Sequence, residues 1–133
     1  MKKFEYRKPA ETVEKRHLIE LEVDGVRVGF ARLEYKNNPR PFYYVHVVLV
    51  YKNYRGKGFG KDVLQRINDI LDQKRASGIL VTTIDEDSPA YKMYEKHGWV
   101  RIPNRSDWYG YNISGWTESQ LAKAIYGISR KSF

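Results

Sequence analysis

The sequence predicts an α/β domain, α+β-like in character, in which strands, helix, strand, helix and strands follow one another around a mixed, largely antiparallel sheet. Three observations carry that expectation. An alternating run folds back on itself at Asp24-Gly25, residues 42–50 are apolar on both faces, and a glycine-rich turn leads from them into an amphipathic helix.

Residues 17–23 set Ile19, Leu21 and Val23 on one face and Glu20 and Glu22 on the other. Asp24-Gly25 suits a type I′ turn, because both residues tolerate positive φ. Val26, Val28 and Phe30 alternate on the way back, and the alternation slips between Phe30 and Leu33, which places a bulge near Ala31. Residues 36–41 read as a loop. The segment 42–50, rich in β-branched and aromatic side chains, has the character of a central strand. Over 61–76 the apolar residues Val63, Leu64, Ile67, Ile70 and Leu71 fall on one helical face. Ser77-Gly78 ends that helix, and 79–84 is a second buried strand.

Ser88-Pro89 supplies an N-cap and a proline at the first helical position, so a short helix runs to about Lys96. Gly98 suits the C′ position that closes it. Residues 99–102 and 108–113 form a closing pair of strands about a turn at 103–107. Thr117-Glu118-Ser119-Gln120 is a capping box, and Trp116 with Leu121 has the spacing of a hydrophobic staple. A helix over about 118–128 follows, with Leu121, Ala124, Ile125 and Ile128 in one stripe.

Composition narrows the function classes. The chain has 133 residues, no cysteine, and 24 basic against 16 acidic side chains, for a formal charge of +8. Thiol nucleophiles, disulfides and thiolate zinc sites are therefore excluded. His17, His46 and His97 have no metal-ligand spacing. Residues 1–12 are charged and lack the apolar stretch of a signal peptide. The longest apolar run, 42–51, is interrupted by His46 and falls short of the about 20 residues that span a bilayer. A soluble, cytoplasmic protein without a membrane partner is expected. The basic surface attracts anions in general, from nucleic acid to a phosphorylated cofactor.

The segment from Val48, Leu49 and Val50 through Arg55, Gly56, Lys57, Gly58, Phe59 and Gly60 runs from a buried strand through a glycine-rich turn into a helix. Successive backbone N–H groups in such a turn, together with the helix N-terminus, form an anion cradle. Arg55 and Lys57 add positive charge, and a pyrophosphate is the natural guest. The loop has neither the Gly-Lys-Ser/Thr of a P-loop nor a G-x-G-x-x-G fingerprint.

Arg55-x-x-Gly58-x-Gly60 after a Val-x-Val strand end resembles the coenzyme A pyrophosphate loop of the GNAT acetyltransferases. A second segment, Asp87-Ser88-Pro89-Ala90-Tyr91-Lys92-Met93-Tyr94-Glu95-Lys96-His97-Gly98-Trp99, resembles the later motif of that family, and it lies one helix and one strand downstream. The resemblance covers roughly 17–113. It departs at Lys52, where proline is common, and at Asp87, where asparagine is usual. The stretch before His17 is too short for the two helices that many members place between their first strands.

The resemblance implies a GNAT fold whose sheet splays at its central strands, flanking helices, and acetyl-coenzyme A as co-substrate with no metal. The pantetheine arm would pair with the backbone of Val48 and Val50 as an added strand does. A backbone N–H near Leu49 or Val50 would face the thioester oxygen. The cofactor would be held by Val48, Leu49, Val50, Arg55, Gly56, Lys57, Gly58, Phe59, Gly60 and Asp87. Tyr94 stands at the family's general-acid position. His46, four residues before Val50, is expected on that residue's face and is the candidate base, since imidazoles occupy this stretch in the branch that acetylates arylalkylamines. Asp85 and Glu86 are the other candidates for the base.

The function expected is acetyl transfer to an amine of a small molecule, protein or peptide. A non-catalytic acyl-coenzyme A-binding module and a basic enzyme acting on charged tRNA, hence a nucleic-acid partner, are the alternatives. Residues 1–133 are expected to form a single GNAT domain with 114–133 as a helical extension. That helix either packs on the domain, walls the acceptor site or pairs two subunits in a homodimer.

Overall fold

Asp24 and Gly25 take φ of 51° and 82°, the left-handed pair that closes a tight hairpin. This turn joins β2 (Arg16–Val23) to β3 (Val26–Lys36), as the sequence predicts. The computed structural model describes residues 2–7, 16–82 and 90–131. Its other elements are β1 (Lys2–Arg7), β4 (Phe42–Val50), α1 (Phe59–Gln73), β5 (Gly78–Val81), α2 (Ala90–Lys96), β6 (Val100–Arg101), β7 (Trp108–Tyr111) and α3 (Glu118–Lys131). Among the described residues the strands form one sheet in the order β1-β2-β3-β4-β5-β7-β6, and β4 with β5 is its parallel pair. The mixed, largely antiparallel sheet is thus as expected.

Side chains along β4 alternate between two cores. Tyr43 and Val45 join the cluster built on α1, with Leu64, Ile67 and Leu71 fully buried. Phe42 and Tyr44 join the opposite cluster, with Ile79, Trp116 and the Leu121, Ala124, Ile125 and Ile128 stripe of α3. Both faces of β4 are therefore covered, which is why its sequence shows no polar face. Each fully buried leucine or isoleucine of α1 stabilises the fold by about 1.5–3 kcal/mol. Asn68 is the polar residue on that buried face. Its amide donates to the His97 carbonyl at 2.9 Å and accepts from the Trp99 indole at 2.8 Å, so its polarity is satisfied and α1 is pinned to the end of α2.

Two of the three caps read from the sequence form, and the third, at Ser88, lies outside the described residues. Gly98, at φ 89°, closes α2, with the Trp99 amide donating to the Tyr94 carbonyl at 3.0 Å. At α3 the Thr117 amide donates to Gln120 Oε1 at 2.9 Å, and the Gln120 amide donates to Thr117 Oγ1 at 3.2 Å.

Three features differ from expectation. β1 was not expected, and it pairs antiparallel with β2 over its whole length. β5 ends at Val81 and Thr82 falls outside it; residues 83–84 of the strand expected to 84, and the Ser88-Pro89 start of α2, lie outside the described residues. The bulge expected near Ala31 resolves into two register shifts. One leaves an extra residue, Val28, in β3 against β2. The other falls between Arg32 and Leu33, but its extra residue is in the partner strand: Arg32 pairs with Val47 and Leu33 with Val45, so His46 in β4 has no partner. No described helix is long and apolar enough to cross a membrane.

Candidate active site

β4 and β5 run side by side from Tyr43 to Val45 against Gly78 to Leu80, and there their pairing stops. β4 continues to Val50 on the arm of β3 alone, so the two strands part after Val45. Val48, Leu49 and Val50 are half-buried along the β5 side of that opening, where their backbone has no strand partner among the described residues. Such an edge takes an extended chain by backbone hydrogen bonds. Close packing on the other side fixes it, because a Cβ at Gly29 would stand 2.7 Å from the Leu49 carbonyl oxygen.

From Val50 the chain turns through a short 3₁₀ segment, Lys52–Tyr54, into Gly56 and Gly58 at φ 79° and 85°. These left-handed positions are where glycine is required. Gly58 is the N-cap of α1 and offers no side chain to the first helical amides. Those donors face outward, in the arrangement that binds anions. The Arg55 guanidinium donates from Nε to the Val50 carbonyl at 3.0 Å, which ties the basic loop to the strand end. Arg55 and Lys57 are exposed beside the half-buried Phe59 and Gly60. Gly60 joins three parts of the site: a Cβ there would lie 3.6 Å from Met93 Sδ and 3.8 Å from Val50 Cγ2. The turn, the end of β4 and helix α2 therefore meet at one point.

Tyr94 follows Met93 on α2. Its ring lies in the core between Trp99 and Tyr109, both at 6.4 Å between centroids, and is 8% exposed. Burial raises its phenol above the usual tyrosine range, so it stays protonated throughout neutral pH. Asp87, Asp85 and Glu86 lie outside the described residues.

His46 corrects the sequence reading. A strict alternation over four residues would put it on the face of Val50. The unpaired position in β4 changes the phase, so His46 stands on the opposite face. There its ring packs edge-on to Tyr44 at 4.5 Å, and its Nε2 lies 2.6 Å from Glu34 Oε1. Burial works to raise the Glu34 carboxyl, but the hydrogen bond from His46 and the charges of Lys36 and His46 outweigh it and hold the group below its ordinary value. His46 directly follows the last β4 residue paired with β5, so it sits where the strands part. Glu34 was not among the sequence candidates; the signal is cross-strand, since it pairs with Tyr44, two residues before His46.

The other histidines are structural. His17 is buried against Tyr43 at 5.5 Å, and His97 Nδ1 lies 2.7 Å from the Met93 carbonyl oxygen. Among the described residues no three metal-ligating side chains come together.

Comparison with known proteins identifies the family and agrees with the fold. Residues 2–99 match the profile of a family described as the acetyltransferase (GNAT) family. Among curated protein sequences none is similar enough to match. Several solved structures share the fold. PaiA N-acetyltransferase from Thermoplasma acidophilum, in complex with coenzyme A, is 19% identical, with a TM-score of 0.59 over 76% of this chain and 62% of that one. IAA acetyltransferase from Bacillus cereus is 13% identical, with a TM-score of 0.63 over 83% and 97%. The ribosomal-protein-S18-alanine N-acetyltransferase from Escherichia coli is 18% identical, with a TM-score of 0.59 over 73% and 67%. The chain thus spans about three-fifths of the length of the PaiA structure.

Proposed function

The chain belongs to the acetyltransferase (GNAT) family, and from that premise we propose that it moves an acetyl group from acetyl-coenzyme A to a primary amine. The observation that supports this most directly is the meeting of the glycine turn, the unpaired end of β4 and helix α2 at Gly60. A cradle, a strand edge and a phenol-bearing helix are what a pyrophosphate, a pantetheine arm and a thioester require.

The residues fit the co-substrate. Ideal Cβ positions at Gly56 and Gly58 meet no atom within 4 Å, so the turn is open to a ligand. The amides of the turn and of the first turn of α1, with Arg55 and Lys57, would hold the pyrophosphate, and Val48 and Val50 the amides of the arm. When bound, the thioester supplies an activated acetyl group. A backbone N–H near Leu49 or Val50 would stabilise the negative charge that develops on its oxygen.

Two protons must move. The attacking nitrogen has to lose one, and His46, held by Glu34, accepts it. The sulfur released when the C–S bond breaks has to gain one, and Tyr94 donates it. An ordinary alkylamine has a pKa of about 10.4 and is charged near neutrality, so the base matters. We also propose a cytoplasmic setting, supported by the absence of cysteine.

The test is an acceptor screen with acetyl-coenzyme A, reading thiol release over polyamines, aminoglycosides, amino acids and peptides. Amine-dependent release supports the reading. Tight binding of acetyl-coenzyme A with no release above hydrolysis for any amine would reduce the chain to a binding module.

A further inference from the structure

On the face of the sheet opposite α1, where β4 leaves β5, lies a cavity of about 480 Å³. Its walls include Arg16, Leu18, Arg32, His46 and Val47. The strand register explains how these residues meet. Leu18, Arg32 and Val47 are successive partners across β2, β3 and β4, and Arg16, Glu34 and Tyr44 form the next row on the same face. His46, the extra residue of β4, stands between the two rows.

Among the described residues the charge of this cavity is unbalanced. Arg16 and Arg32 are both exposed, and neither forms an ion pair with another described residue. Glu34, the acid of the neighbouring row, is engaged by His46 at 2.6 Å and Lys36 at 3.4 Å. The Arg32 guanidinium lies over the Phe30 ring at 5.4 Å, which orients the group while leaving its N–H edge available. As diagonal neighbours across β2 and β3, Arg16 and Arg32 have backbones about 7–8 Å apart, close enough for both side chains to reach one anion.

We infer that this cavity receives the acceptor and that Arg16 and Arg32 read an anionic group on it, so that the substrate class is a small primary amine bearing a carboxylate or a phosphate. The inference rests on the acetyltransferase reading and deepens it. A guanidinium fork matches the geometry of either anion. The apolar walls at Leu18 and Val47 hold the body of the molecule, and His46 stands between the anion site and the opening of the strands. The same two arginines repel polycationic acceptors, so polyamines are disfavoured by charge.

Binding tests this without requiring turnover. With coenzyme A present, calorimetry compares N-acetylphenylalanine with N-acetylphenylalaninamide, two product-like probes that differ in the charge of one group. N-acetyl-O-phosphoethanolamine against N-acetylethanolamine forms the phosphate arm. The charged probe of at least one pair is expected to bind tenfold or more tightly than its neutral counterpart, and the arm that shows it identifies the anion. Arg16→Gln and Arg32→Gln should each reduce that ratio at least threefold, and the double variant should bring it near one. A ratio near one for the unaltered protein in both arms overturns the inference, as does a preference that survives the double variant. The heat of coenzyme A binding, recorded first in each titration, reports separately on the acetyltransferase reading.

Discussion

His46 Nε2 lies 2.6 Å from Glu34 Oε1 across the register shift between β3 and β4. With the carboxylate ionised, Nε2 carries the donated proton and Nδ1 is left as the basic nitrogen. Glu34 is then a positioning residue. His46→Ala should lower kcat by about 10² to 10⁴ while acetyl-coenzyme A affinity holds. Glu34→Ala should lower kcat about tenfold to a hundredfold, at or below the lower end of what a direct acid–base group contributes, and Glu34→Gln, which can still accept the hydrogen bond, should recover part of it. Wild-type kcat in His46→Ala, with chemistry rate-limiting, moves the assignment to Asp85, Glu86 or the amine itself.

The same pair sets a pH dependence of stability. The folded Glu34 carboxyl titrates below its ordinary value of 4.5. Its contribution is therefore present above that ordinary value and is lost as pH falls through the folded value. The difference in Tm between the unaltered protein and Glu34→Gln should be larger at pH 7 than at pH 3. A difference that grows in acid contradicts the assignment.

Gly58 and Gly60 should respond differently to substitution. Gly58 has φ of 85°, so any side chain strains the N-cap of α1, whereas Gly60 has only ordinary van der Waals neighbours at 3.6–3.9 Å. Gly58→Val should weaken acetyl-coenzyme A binding more than tenfold, equivalent to about 1.4 kcal/mol. Gly60→Ala should remain within about threefold, or about 0.7 kcal/mol on the same scale. Equal, small effects of both in calorimetry would place the cradle elsewhere.

Tyr94→Phe removes a hydroxyl and keeps the ring contacts with Trp99 and Tyr109. Folding and acetyl-coenzyme A affinity should hold while kcat falls by about 10² to 10⁴. Because burial raises this phenol, no falling limb assignable to it should appear below about pH 10. Wild-type kcat in the variant, with chemistry rate-limiting, would mean that water protonates the thiolate.

Much of the fold was legible because its signals are local. Asp24-Gly25, the stripe of α1, Gly98 and the Thr117–Gln120 box each announce a structure within a few residues of themselves. The glycine turn at Gly56 and Gly58 was legible for the same reason. What stayed hidden depends on register between strands. β4 is apolar on both faces, so an extra residue at His46 leaves no phase change to read, and the histidine was assigned to the wrong face. Glu34 and Arg32 meet His46 only through that register. β1 carries little apolar signal beyond Phe4 and takes its form from pairing with β2. Asn68 reads as a polar interruption of a buried stripe until Trp99 and His97 arrive to satisfy it.

Burial of the α3 stripe against Phe42, Tyr44 and Ile79 makes this helix part of the core on the acceptor face. Thr117→Ala should cost about 1 kcal/mol through loss of the cap, and Ile125→Ala about 2–5 kcal/mol through a cavity. Denaturant unfolding measures both. Full stability in Ile125→Ala would show that the helix is an accessory and not core.

Every step proposed for this chain depends on its holding acetyl-coenzyme A, so the most direct test is equilibrium binding of that molecule to the purified protein by calorimetry. The account predicts saturable one-to-one binding, displaced by coenzyme A and weakened more than tenfold in Gly58→Val. An absence of binding heat up to millimolar ligand, in protein shown to be folded, would contradict it.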